Sequence, residues 1–199
     1  MERAGRRVSR GLSYPDSGFT RRPYPQPLTH RWPEGYRLVL RRERLDVADP
    51  AAGFLRLANG ILNWDLHRLS GLRVTTGTPR AAAGVEMSSG VGLGPLRYYA
   101  PCRVLWAEEP EVDDGGVPIA GQRAGFGYGT LKGHPEQGEE GFYAELDGEG
   151  KLAFRVAAYS RPANRLIAAG DFANRAVQEF ITRRYVAAAY TLASGSAAA

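Results

Sequence analysis

From Arg123 to Leu146 the chain alternates, breaks, and alternates again. Phe126, Tyr128 and Thr130 fall on one face of an extended segment, with Gly125, Gly127 and Gly129 on the other. Beyond the break, Glu140, Phe142, Ala144 and Leu146 share a face opposite Glu139, Gly141, Tyr143 and Glu145. Period-two patterning on both sides predicts two antiparallel strands, Arg123–Leu131 and Glu139–Leu146, joined by the wide connection Lys132–Gly138. After the turn residues Asp147–Gly150, Leu152, Phe154, Val156 and Ala158 alternate in their turn and predict a third strand, Lys151–Tyr159, completing a meander. Tyr36–Leu45 reads as a half-buried first strand with Tyr36, Leu38 and Leu40 on its apolar side. Pro101–Ala107 reads as another, with Cys102, Val104 and Trp106 on one face; two short strands are expected near Leu72–Thr76 and Gly84–Val91.

The helical period occurs twice. Asp46 or Asp49 caps a helix with Pro50 in its first turn, and Phe54, Leu57, Ala58, Ile61 and Leu62 form one apolar stripe. The stripe can continue through Leu66 and Leu69 to Gly71 as a C-terminal glycine. A long helix is predicted from about Ala163 to Tyr190. Asp171, Arg175, Glu179 and Arg183 make a solvated ion-pair ladder on it, while Ala173, Ala176, Val177, Phe180 and Ile181 face the sheet. Small alanines on that face would let the helix approach Gly125, Gly127 and Gly129. These elements define an α+β fold in which a curved antiparallel sheet wraps a long C-terminal helix.

Composition narrows the reading. At 199 residues and 43% hydrophobic, the chain fits a single α+β domain, residues 36–190, with a substantial core. Residues 1–35 carry seven arginines against three carboxylates, which accounts for +4 of the net charge of +5, and five prolines. They predict an extended, solvated arm; residues 191–199 predict a disordered tail. Nucleic-acid binding is disfavoured because no recognition helix or aromatic stacking motif accompanies the arginines. The single cysteine, Cys102, excludes an internal disulfide and suits a reducing cytoplasm. No run of about 20 apolar residues spans a bilayer, and no apolar segment follows the first arginines as in a secretory signal.

The chemistry concentrates in the connection. His134 and Glu136 lie within it, and Glu139 and Glu140 follow. Glu140 shares the side of Phe142, so it is the inward carboxylate and must be paired or protonated, with Arg161, Arg155 or Arg184 as its partner. His134 and Glu140 are the candidate acid/base pair, and Tyr128, His134, Glu136, Glu140, Phe142 and Arg161 the candidate ligand contacts. His30, His67 and His134 show no metal-ligand spacing, so neither a metal site nor a cofactor is expected. Trp64, His67 and Cys102 are read as packing residues.

The stretch GFGYGTLKGHPEQGEEGF, together with LSYPDSG at Leu12–Gly18, Trp64–Arg68 with Gly71, Ser160–Ala163 and Thr182–Tyr185, resembles the uncharacterised protein family 0548. The resemblance covers roughly Leu12–Tyr190 and implies no settled activity. The family in turn looks similar to the helix-grip (START/Bet v 1-like) proteins, which implies an apolar cavity between sheet and helix. Three functions stand open: binding of a hydrophobic small molecule, a cofactor-independent cyclisation, dehydration or hydrolysis through His134 and Glu140, or docking of an acidic partner on the basic arm.

Overall fold

The computed structural model describes residues 11–15, 17–22, 31–93, 96–164 and 171–195. In chain order the elements are β1 (Arg37–Arg44), α1 (Pro50–Leu62), α2 (Asp65–Leu69), β2 (Arg73–Thr76), β3 (Glu86–Leu93), β4 (Leu96–Glu108), β5 (Gln122–Thr130), β6 (Glu136–Leu146), β7 (Leu152–Pro162) and α3 (Asp171–Ser194). The strands form one antiparallel sheet in the order β1-β7-β6-β5-β4-β3-β2. The predicted meander is its centre: Phe126 stands opposite Phe142, and Phe142 opposite Val156. Paired residues of antiparallel strands share a face, so these three side chains and the α1 stripe of Phe54, Leu57, Ala58, Ile61 and Leu62 build the main core, all fully buried.

Helix α1 forms as its sequence dictates. The Asp49 carboxylate accepts from the Ala52 amide at 3.0 Å and Pro50 opens the first turn. The stripe does not run on unbroken to Gly71. Trp64 adopts a left-handed conformation, φ 69°, which turns the chain into the separate helix α2.

The other face of the sheet is also covered. Residues 12–15 and 17–22 lie across it: Leu12 bridges Leu131, and Tyr14 and Thr20 are buried. The solvated arm expected from composition is therefore docked over this stretch. Its anchor is Glu139, 2% exposed, which accepts from the Gly18 amide at 2.7 Å, the Thr20 amide at 2.9 Å, the Thr20 hydroxyl, the Tyr159 hydroxyl at 2.8 Å and the Tyr14 hydroxyl at 3.4 Å. Each of these donors would otherwise need water where little reaches.

Three predicted details change for stated reasons. The register of β4 shifts between Val104 and Trp106, so Trp106 turns away from Cys102 and Val104 onto the arm face. There it occupies the space a side chain at Gly127 would need, and Tyr14 does the same at Gly129. The glycine face of β5 thus receives Trp106 and the arm, not the C-terminal helix. Leu38 and Leu40 stand opposite Tyr159 and Ala157 on that same arm face, at the sheet edge, and are 42% and 52% exposed rather than half-buried.

Helix α3 also departs from expectation. Ala163 and Asn164 are not helical, the helix begins at Asp171, and it runs through Ser194 into the stretch expected to be a disordered tail. Its buried side is Tyr185, Ala188, Ala189 and Ala193, packed with α1 and α2, while Phe180 is 58% exposed. Of the ladder, Glu179–Arg183 forms; the side chains of Asp171, Ala173, Arg175, Ala176 and Val177 lie outside the described residues. Arg184 points back to the end of α2 and donates to the Ser70 carbonyl at 2.8 Å.

Two stability measurements follow. Tyr185→Ala lowers the unfolding free energy by about 3–5 kcal/mol, as truncation of a buried aromatic does, whereas Phe180→Ala costs well under 1 kcal/mol; equal losses in urea titrations would mean α3 is rotated. Glu139→Ala strands several buried donors and costs roughly 3 kcal/mol or more. In hydrogen-exchange measurements it also brings the Gly18 and Thr20 amides to unprotected rates, and retained protection would show that the arm is held by something else.

Candidate functional site

Where β5 and β6 meet, the connection is tighter than the alternation suggests. β6 begins at Glu136, so five residues, 131–135, link the strands instead of seven. The turn is ordered by the His134 ring, whose Nδ1 lies 2.9 Å from both the amide nitrogen and the carbonyl oxygen of Glu136. Burial pushes His134 down to about 4, so it is uncharged at neutral pH.

Behind this turn lies a pocket of about 60 Å³. Tyr128, Thr130, His134, Glu136, Glu140 and Ser160 are among its walls, and Gln178 of α3 closes one side. Glu140 is its central group. It stands opposite Tyr128 in the sheet, and the Tyr128 hydroxyl donates to its Oε2 at 2.7 Å. Removal from water pushes Glu140 up to about 7; the Tyr128 hydrogen bond opposes the shift and the nearby Glu136 adds to it. Burial also raises the Tyr128 and Tyr185 phenols well above their usual range, so both remain protonated donors.

Four of the six sequence-predicted contacts, Tyr128, His134, Glu136 and Glu140, are brought together here. Phe142 is buried on the same row beneath them. Arg161 is not part of the site: paired with Gln137 in register, it lies on the arm face, donates to the Gln137 side chain at 3.1 Å and stacks over the Tyr36 ring at 4.7 Å. None of the three arginines expected to neutralise Glu140 does so. Arg155 sits 3.5 Å from Glu145 and Arg184 serves the Ser70 carbonyl, so a tyrosine takes the place of the ion pair. Arg37, from the edge strand, pairs instead with Glu136 at 3.2 Å.

Thr130, Ser160, Gln178 and Tyr185 escaped the reading of the residues. Alternation alone put Thr130 on the row of Tyr128, and Ser160 and Tyr185 fall inside the segments that carry the family resemblance. His67, read as a packing residue, is fully buried, and neither ring nitrogen has a hydrogen-bond partner among the described residues. Its ring lies 4.7 Å from Phe142, 5.4 Å from Tyr185 and 5.6 Å from Phe126, centroid to centroid. Burial pushes it down to about 3, so it acts as a neutral member of the aromatic layer beneath Tyr128. Cys102 is buried beside this cluster with its thiol pushed up, unsuited to nucleophilic work. Among the described residues no three His, Cys, Asp or Glu side chains converge as metal ligands, and no helix is long and apolar enough to cross a membrane.

A seven-stranded antiparallel sheet closed by a C-terminal helix is a helix-grip fold. Norcoclaurine synthase from Thalictrum flavum, solved with dopamine and hydroxybenzaldehyde, superposes with a TM-score of 0.50 at 7% identity, covering 82% of this chain and 90% of that one. A hypothetical protein of Helicobacter pylori gives a TM-score of 0.48 at 9% identity, covering 81% and 94%. The chain itself belongs to the family described as "Domain of unknown function (DUF1990)", whose model matches residues 13–188. A UPF0548 protein of Arabidopsis thaliana is 48% identical over 42 residues, a stretch covering 21% of this chain and only 20% of that relative's length.

The raised carboxyl predicts a pH signature. Because its folded value lies above the unfolded one, Glu140 stabilises most below the usual carboxylate range, and that contribution is lost as pH rises to about 7. His67 and His134, both depressed, act in the opposite sense on the acid side, so the parent must be compared with Glu140→Gln. The parent loses stability relative to the variant between pH 4.5 and 7; parallel curves in denaturant titrations would show that Glu140 titrates normally.

Proposed function

We propose that the protein binds a small, mainly apolar molecule at the concave side of the sheet, with Glu140 and Tyr128 fixing its polar end. The observation that carries this is a half-buried carboxylate with no cationic partner among the described residues, held by one tyrosine and open to a pocket on its other side. Leaving such a group unpaired costs stability, and a polar ligand group that displaces solvent there offsets the cost. The aromatic layer of Phe142, Tyr185 and His67 beneath it supplies the apolar surroundings that pockets of this kind use.

A second reading rests on the same residue. A carboxyl poised near 7 is matched to proton transfer at neutral pH, which suits a cofactor-independent cyclisation, dehydration or hydrolysis. Glu140 is then the acid/base group, and His134, held through Nδ1 against the Glu136 backbone, turns Nε2 to the pocket as the second one.

Native mass spectrometry of the purified protein tests the binding reading: a small molecule is retained by the parent and its occupancy falls in Glu140→Gln. Equal occupancy in parent and variant removes Glu140 from the site. Under the enzyme reading, Glu140→Gln keeps the ligand but accumulates it unchanged, and His134→Ala slows turnover without abolishing it.

A further inference from the structure

The pocket at Glu140 is too small for a whole ligand. Its volume of about 60 Å³ holds a head group the size of roughly two water molecules, against the several hundred Å³ of ordinary ligand sites. It adjoins a groove of about 630 Å³ between β1 and α3, where Arg37, Val39 and Arg41 of β1 face Thr182 and Val186 of α3. Gln178 lines both spaces, and the Arg37–Glu136 pair joins the groove's wall to the pocket's. The pocket is thus a polar end beside a trough whose apolar strip is Val39 and Val186.

The polar end has its own chemical preference. Glu140 Oε2 takes the Tyr128 hydroxyl, while Oε1 has no partner among the described residues. The Ser160 hydroxyl, 8% exposed, lines the pocket with no hydrogen-bond partner among the described residues. Thr130 Oγ1 already accepts from the Gly138 amide. Among the described residues the charged groups facing this space are Glu140, Glu136 and Arg37, and Arg37 pairs with Glu136. In the groove, Arg183 is paired with Glu179 and Arg41 with Glu43. Among the described residues this leaves a carboxyl with no cation against it, in a pocket also lined by the Ser160 hydroxyl.

Building on the ligand-binding reading, we infer that the ligand carries a primary ammonium group, which donates to Glu140 Oε1 and Ser160 Oγ, on an apolar body lying in the β1–α3 groove. An ammonium supplies three donors and the missing positive charge in one group. A carboxylate head would meet Glu140 and Glu136 and be repelled.

Calorimetric titration of the full chain at pH 7 with n-octylamine, n-octanol and octanoate tests this. Octylamine binds roughly tenfold or more tighter than octanol, the range of a hydrogen bond to a charged group, and octanoate is weakest. Glu140→Gln reduces octylamine to the level of octanol; should that variant fold poorly, Ser160→Ala gives a smaller loss in the same order. Thr182→Trp, which fills the groove from α3, weakens octylamine about tenfold. Octanol or octanoate binding as well as octylamine overturns the ammonium assignment while leaving ligand binding intact. Undiminished octylamine binding in Thr182→Trp overturns the groove placement. Failure of all three probes to bind overturns the ligand-binding reading itself.

Discussion

The hydrogen bonds to Glu139 are the constraint on which the rest of the structure depends. An antiparallel sheet commonly buries one face and wets the other; here the central strands are buried on both. The second face is closed by a short irregular segment with no strand pairing beyond the Leu12–Leu131 bridge. Such a segment stays in place only if its backbone donors find acceptors. Glu139 satisfies the amides of Gly18 and Thr20 and gathers the hydroxyls of Thr20, Tyr14 and Tyr159 around the same two oxygens. Trp106 donates to Thr20 Oγ1 at 3.0 Å, and Tyr143 donates to the Thr20 carbonyl, so the anchor extends through the bulged strand to the aromatic stack behind it.

Its neighbour in sequence does the opposite work. Strand geometry sends Glu139 and Glu140 to opposite faces, and the two environments separate their roles. Glu139 meets an excess of donors; Glu140 meets one tyrosine and a pocket. Desolvation without compensation lifts the Glu140 carboxyl toward neutrality. One strand thus carries a carboxylate that anchors the arm and a carboxylate that faces the pocket, on opposite sides of the sheet.

Much of this was legible in the residues. Period-two alternation located the three central strands and put Glu140 on the inward row with Tyr128 and Phe142. Capping chemistry and a five-residue apolar stripe located α1. What stayed hidden depended on long-range partners. No local pattern shows that Trp106 would cross to the other face, because one irregular residue in β4 reverses the alternation after Val104. The exposure of Phe180 and the burial of Tyr185 follow from where α2 turns at Trp64, a left-handed residue no period reveals. The role of Glu139, read only as lying opposite the inward Glu140, stayed hidden because the donors that bury it lie about 120 positions upstream. The family signature marks these places where propensity is silent: Leu12–Gly18 seats on Glu139, Trp64–Arg68 meets Thr182–Tyr185 through the His67–Tyr185 contact, and Ser160 lines the pocket.

The most direct measurement of the central claim is a carbon-13 NMR titration of the glutamate side-chain carboxyls. A resonance assigned by its absence in Glu140→Gln titrates with a midpoint near 7, and the midpoint falls when octylamine is added, because an ammonium beside the carboxylate favours its charged form. A Glu140 midpoint in the ordinary carboxylate range, unmoved by the amine, would contradict the account.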